Sequence, residues 1–266
     1  MERVERSGGG KWAEAGISGA ALKRIAVISM LADHFALVLL QNGVLFGLDH
    51  GRFGWSVGPE VYGILEQTVL CLRIFGRIAF PVYCFLMVEG FLHTKNYGKY
   101  LRNLIVFALI SEMPFDVAVT GVLFEPRAQN IYWTLAVGLA GLRAMRWAER
   151  LEEGLRWFAC GAVLLLAGAA GELLAVDYGY MGIALILILY LARNSRILLF
   201  STVVLFSLCS MPLVYEIGSI PAGLAICLYN GRRGTIRHKM FYYWFYPAHL
   251  AVLALLCALL LRRPLW

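Results

Sequence analysis

Apolar residues fall into long blocks along this chain, at about residues 22–42, 69–92, 100–120, 131–147, 157–173, 178–192, 196–212, 214–229 and 240–261. Short polar connections separate them. A helix needs about 20 predominantly apolar residues to cross the hydrocarbon core of a bilayer. The pattern therefore predicts an all-α, polytopic transmembrane helix bundle of about nine spans. The shorter blocks predict tilted or incomplete spans, and the eighth is the weakest. Residues 1–20 are polar and Gly-rich, with no apolar core ahead of a cleavage site, and read as a mobile cytosolic tail. Residues 21–266 then form a single transmembrane helical domain.

Composition agrees with this. Of 266 residues, 60% are hydrophobic and only 15% charged, where a soluble domain is about a quarter charged. A soluble single core is excluded. The six cysteines lie singly within apolar runs, with no CxxC and no histidine at ligand spacing, so neither a disulfide framework nor a metal site is expected. The net charge of +7 does not point to nucleic acid, because the Lys and Arg residues sit in short loops, where they set membrane orientation. With the N-terminus inside, the inner connections hold Lys95, Lys99 and Arg102, then Arg143, Arg146, Arg150 and Arg156, then Arg193 and Arg196, then Arg232, Arg233, Arg237 and Lys239. The outer connections are poor in them, Arg262 and Arg263 excepted. This alternation predicts a cytosolic N-terminus in a multi-pass bacterial inner-membrane protein. No internal repeat of the kind that builds many transporters is visible.

An ionisable side chain at membrane depth is costly unless it faces a protected interior, so each is a functional candidate. The first span carries Ser29, Asp33 and His34; the second carries Arg73 and Arg77, then Pro81, and ends at Glu89 and His93; the third carries Ser111, Glu112, Pro114 and Asp116. Asn130, Asp177, Tyr178, Glu216, Tyr246 and His249 follow. Arg73 and Arg77 are four apart and share a helix face, as do Glu112 and Asp116, so two cations are placed to meet two carboxylates. Threaded through nine spans, these groups converge in the outer half, which predicts a water-accessible cavity opening outward. Each also has a structural reading. The ion pairs can simply hold helices together, Asn130, Asp177 and Glu216 can cap span ends, the tyrosines of 242–246 fit an aromatic belt, and the prolines can kink their helices. His34 is the hardest to dismiss, deep in an apolar run beside a costly aspartate, and an unperturbed imidazole titrates near neutrality, which suits proton transfer.

The order of Asp33-His34, then Gly76-Arg77-Ile-Ala-Phe-Pro81 running into Glu89-Gly90 and His93-Thr94, then Ser111-Glu112-Met-Pro114-Phe-Asp116, then Asp177-Tyr178-Gly179, then Asn230-Gly231-Arg-Arg-Gly234, and Lys239 through Tyr246-Pro247-Ala-His249-Leu250 resembles the TraX family of bacterial membrane proteins. The resemblance runs from about Leu22 to Leu255. It implies a polytopic inner-membrane acyltransferase that uses acetyl-CoA, or another acyl-CoA, to modify an amine at or beyond the outer membrane face. The founding activity is the N-acetylation of a conjugative pilin.

Acyl transfer from a thioester to an amine needs a base and donors that stabilise the tetrahedral oxyanion. On this reading His34 is the candidate base, and Asp33, Arg73 and Arg77 complete the catalytic set. Neighbouring residues on a helix point about 100° apart, so Asp33 is expected to pair with an arginine rather than orient His34. Glu112, Asp116, Asn130, Asp177, Tyr178, Tyr246 and His249 are the candidate acceptor-binding residues. Arg232, Arg233 and Lys239 are candidates for the CoA phosphates. The expected partners are membrane lipids and an acyl acceptor, a peptide, protein or small amine. Direct transfer and an acyl-histidine intermediate stay open, as does a different class of function, a proton-coupled transporter or permease using the buried charges as a relay.

Overall fold

The computed structural model describes residues 16–210, 212–235 and 240–261. It is all-helical: among the described residues there are no strands, only isolated bridges joining Ile17 to Tyr229 and Gln129 to Val176. Among the described residues ten helices run in order, α1 (Gly19–Asp49), α2 (Pro59–Gly76), α3 (Ala79–His93), α4 (Tyr97–Val119), α5 (Ile131–Ala148), α6 (Glu153–Leu173), α7 (Gly179–Leu191), α8 (Arg196–Cys209), α9 (Leu213–Cys227) and α10 (Phe241–Leu261). A helix occupies each of the nine apolar blocks. Of these, Gly19–Asp49, the α2–α3 stretch Pro59–His93, Glu153–Leu173 and Phe241–Leu260 are long and apolar enough to cross a membrane. Helix α4 has the length but carries Lys99, Arg102, Glu112 and Asp116, while α7, α8 and α9 are apolar and short. Most of the expected 1–20 tail, together with Arg237, Lys239, Arg262 and Arg263, lies outside the described residues.

Local sequence sets the helix starts. The Ser18 hydroxyl accepts from Ala21 N–H at 3.3 Å at the start of α1, and the side-chain oxygens of Asn96, Asn130 and Ser195 cap α4, α5 and α8. Pro59 opens α2, where its missing N–H leaves no helical bond unmade. The second apolar block lies within a longer candidate span, Pro59–His93. Helix starts ten residues earlier, at Pro59, and a short turn at Arg77–Ile78 separates α2 from α3. Pro81 is the third residue of α3, in the first turn, where proline does not kink; Pro114 and Pro247 are interior.

Two features shape the bundle around the polar residues. Helix α1 widens to π geometry over Phe35–Leu45, directly after His34; such stretches often mark functional sites. Because α1 runs on to Asp49, His34 stands at its middle rather than past it. Glycines allow the close approaches: a Cβ at Gly76 would fall on the Asp33 side chain, and one at Gly218 on the backbone carbonyl of Ile74. The apolar core centres on α3, α5 and α7, where Phe91, Leu139, Leu142, Ile183, Leu185, Ile186, Leu187 and Leu189 are fully buried. Helix α6 keeps Phe158, Leu165, Leu166 and Leu173 exposed, a surface suited to lipid. Helix α10 packs against α4 and the π segment of α1, closing the bundle beside His34.

Candidate functional site

A cavity of about 280 Å³ opens among α1, α2, α3, α4, α5, α10 and the α6–α7 turn. Asp33, His34, Arg73, Arg77, Asp177, Tyr178 and Tyr246 all line it. Asp33 and His34 come from the centre of α1, Arg73 and Arg77 from the α2–α3 junction, and Tyr246 from α10.

The histidines form a directional chain. His249 Nδ1 lies 2.6 Å from the carbonyl oxygen of Phe245, and His249 Nε2 lies 2.7 Å from His34 Nδ1. A carbonyl only accepts, so His249 Nδ1 carries the proton and its Nε2 accepts from His34 Nδ1–H. In neutral His34 this leaves Nε2 as the nitrogen with a free lone pair. The two rings stack with centroids 4.9 Å apart, and Tyr246 meets His34 edge-on at 5.9 Å. His249 itself is behind the cavity wall and acts by fixing the tautomer and rotation of His34.

Of the pairings expected for the arginines, the one with Asp33 forms and those with Glu112 and Asp116 do not. Arg73 Nη1 donates to Asp33 Oδ2 at 2.9 Å, with both side chains largely buried. Arg77 Nη1 donates to the Tyr178 hydroxyl at 2.7 Å and lies 3.4 Å from Glu216 Oε1. Both guanidinium groups lie near the Tyr215 ring, at 5.5 and 6.0 Å from its centroid. Asp33 Oδ1, Arg73 Nε, Arg77 Nε and Glu216 Oε2 are buried without a hydrogen bond among the described residues. The charged cluster thus keeps unspent hydrogen-bonding capacity.

Glu112 and Asp116 do not meet the arginines. Glu112 Oε2 accepts from the Asn130 amide and from Trp133 Nε1, the latter at 3.2 Å. Asp116 Oδ2 accepts from Glu125 N–H at 2.9 Å, tying the α4–α5 connection. Asn130 caps α5 and bonds the Ala108 carbonyl at 2.8 Å. None of the three lines the cavity. Arg232 and Arg233 offer their backbone carbonyls to Gly19 and Ala20 N–H at 2.9 Å and keep exposed side chains. They stand fifteen residues of helix from His34, roughly 22 Å.

The α6–α7 turn supplies the remaining wall. The Asp177 carbonyl accepts from Thr134 Oγ1 at 2.5 Å, and Asp177 N–H bonds the Gln129 carbonyl at 3.0 Å. Tyr178 takes a left-handed φ of 62°, and its ring stacks flat on Phe80 at 3.8 Å. Asp177 is half-buried, and desolvation pushes its carboxyl up to about 6 against the pull of Arg77.

Tyr83 and Tyr132 also line the cavity and escaped the sequence reading, and Tyr242, read there as part of an aromatic belt, lines it too. For Tyr242 a signal existed: with Tyr246 and His249 it makes an i, i+4, i+7 stripe on α10. Glu216, read as a cap, is the carboxylate facing Arg77, and no local pattern pairs residues 139 positions apart.

A helical membrane-type bundle with an internal cavity walled by both charged and apolar side chains defines the class. A family profile described as "TraX protein" matches residues 18–257, and the chain belongs to the TraX family. It is 29% identical over 259 residues to the probable fimbrial assembly protein FimC, serogroup H1, of Dichelobacter nodosus, covering 87% of this chain and 92% of that one. No solved structure matches.

Proposed function

We propose that this protein is an integral membrane acyltransferase that moves an acetyl group from acetyl-CoA to an amine at the outer face of a bacterial cytoplasmic membrane. The observation that carries the reading is the His34–His249–Phe245 chain, which leaves an imidazole nitrogen with a free lone pair on a residue lining the cavity. In the step, a neutral amine attacks the thioester carbonyl, His34 Nε2 takes the amine proton, and the C–S bond breaks with the electron pair leaving on sulfur. Arg73 and Arg77 stabilise the oxyanion from the cavity wall. Asp177, Tyr178 and Tyr246 contact the acceptor. Glu112, Asp116 and Asn130 support that wall from behind.

About nine spans with a cytosolic N-terminus go with this reading, and the distribution of Lys and Arg supports it. CoA is made inside, so its phosphates meet the basic end at Arg232, Arg233 and Lys239. The relative named for fimbrial assembly makes an amine of a surface-fibre subunit one acceptor to try first.

The test uses full-length protein in sealed vesicles with labelled acetyl-CoA and mass spectrometry of peptides and amine-bearing lipids. Wild type adds one acetyl unit to a single species. His34→Ala lowers the rate by about 10²–10⁴-fold while the thermal melt is retained. Full activity in His34→Ala ends the proposal, and proton-coupled flux without CoA release replaces it with the transporter reading.

A further inference from the structure

A second concavity, of about 350 Å³, lies at the far end of α5 and takes no part in the site described above. Arg143, Arg146 and Arg150 line it with Ala140, Ala144 and Trp147. Arg143 and Arg146, at i and i+3, are neighbours on the last turns of α5, and Arg150 follows in the turn just beyond its end. None of the three makes an ion pair among the described residues. The neighbouring carboxylate, Glu149, is committed to Arg193 at 2.7 Å and accepts from Tyr190. Arg146 is fixed in place, with its guanidinium 4.0 Å from the centre of the Phe91 ring and one N–H on the Phe91 carbonyl at 3.4 Å. Arg143 lies over Tyr97 at 5.8 Å.

Two alanines floor this hollow on the outer surface of the bundle, and Trp147 is 60% exposed beside it. Small residues on a lipid-facing helix make a groove the width of an acyl chain. An exposed tryptophan at a helix end marks the membrane interface. Guanidinium groups bind phosphate by paired N–H donors, and basic pockets at the cytoplasmic ends of helices take anionic headgroups.

We propose that this concavity binds an anionic phospholipid, with the phosphate on Arg143, Arg146 and Arg150 and one acyl chain along Ala140 and Ala144. The site tethers the inner end of α5, whose other end supplies Tyr132 and Leu135 to the cavity.

The experiment takes full-length protein in neutral detergent, titrated with phosphatidylglycerol or phosphatidylcholine of equal chain length and read by native mass spectrometry. One phosphatidylglycerol per chain is expected, and no phosphatidylcholine. Arg143→Gln/Arg146→Gln/Arg150→Gln weakens binding about a hundredfold, at roughly fivefold for each arginine near the surface. If that variant fails to fold, Arg150→Gln, exposed and without an ion pair, carries about fivefold alone. Ala140→Leu fills the groove and leaves the charge intact, so it weakens phosphatidylglycerol but not inorganic phosphate. Excess CoA fails to displace the lipid. Equal retention of phosphatidylcholine, or unchanged binding in the arginine variants, overturns the proposal. Displacement by CoA overturns it in favour of a nucleotide phosphate, and an unaffected Ala140→Leu overturns it in favour of a free phosphate.

Discussion

Two polar clusters inside this bundle read alike in sequence and behave differently in the fold. One joins Asp33 to Arg73, and Arg77 to Tyr178 and Glu216, at the wall of the cavity. The other joins Glu112 to Asn130 and Trp133, with Asp116 on the α4–α5 connection, outside it. In the second, the carboxylate oxygens that bond accept from a cap, an indole and a backbone N–H. In the first, guanidinium and carboxylate face each other; among the described residues both clusters keep buried carboxylate oxygens without a hydrogen bond, Asp33 Oδ1 and Glu216 Oε2 in one, Glu112 Oε1 and Asp116 Oδ1 in the other. Charge at membrane depth therefore marks two separate jobs, and only the partners tell them apart.

Substitutions separate the clusters, and they rank by size. The largest effect after His34→Ala belongs to Asp33→Ala, which strands Arg73 without its carboxylate and destabilises the fold by about 3–5 kcal/mol; the thermal melt in detergent reads this. Gly76→Ala pushes a methyl group onto Asp33 and costs about 1–3 kcal/mol, with turnover falling beyond the loss of folded protein because Arg73 moves. Asn130→Ala removes a helix cap worth about 1 kcal/mol, and activity per folded molecule holds. Glu112→Gln keeps both of its donors supplied with an oxygen and shifts stability by less than about 1 kcal/mol, with turnover unchanged. A large loss of turnover in Glu112→Gln would merge the two clusters into one site.

Acidity gives a further contrast. The Asp177 carboxyl is held up at about 6, above its ordinary 3.8, by burial. The folded state therefore binds more protons between these values, and the favourable contribution at low pH is lost as pH rises through about 6. Asp177→Asn removes this slope, so its stability relative to wild type improves from pH 5 to pH 7. Melts at a series of pH values decide this; equal slopes in both proteins contradict it.

Helix positions and the cavity-lining set from α1 and the α2–α3 junction were legible in the chain, because burying Asp33, His34, Arg73 and Arg77 among apolar residues has a known energetic cost. Partner choice was not. Helical periodicity fixes which residues share a face of one helix, but says nothing about which helix stands opposite. His34 and His249 meet across 215 positions, and Arg77 finds Glu216 on a short turn rather than Glu112 on a long helix. The start of α2 was missed for a simpler reason: Glu60, Glu66, Gln67 and Thr68 interrupt the apolar residues of its first ten, most of which are exposed, and Pro59 rather than hydrophobicity begins it.

The imidazole pair ends at the main-chain oxygen of Phe245, a group that takes no proton at any ordinary pH. A hydron collected by His34 has no onward route through that chain and must leave by the cul-de-sac it entered. Such a terminus suits chemistry in which a base is loaded and unloaded from one side with each turnover, and it is the wrong plumbing for a wire that conducts protons across a membrane.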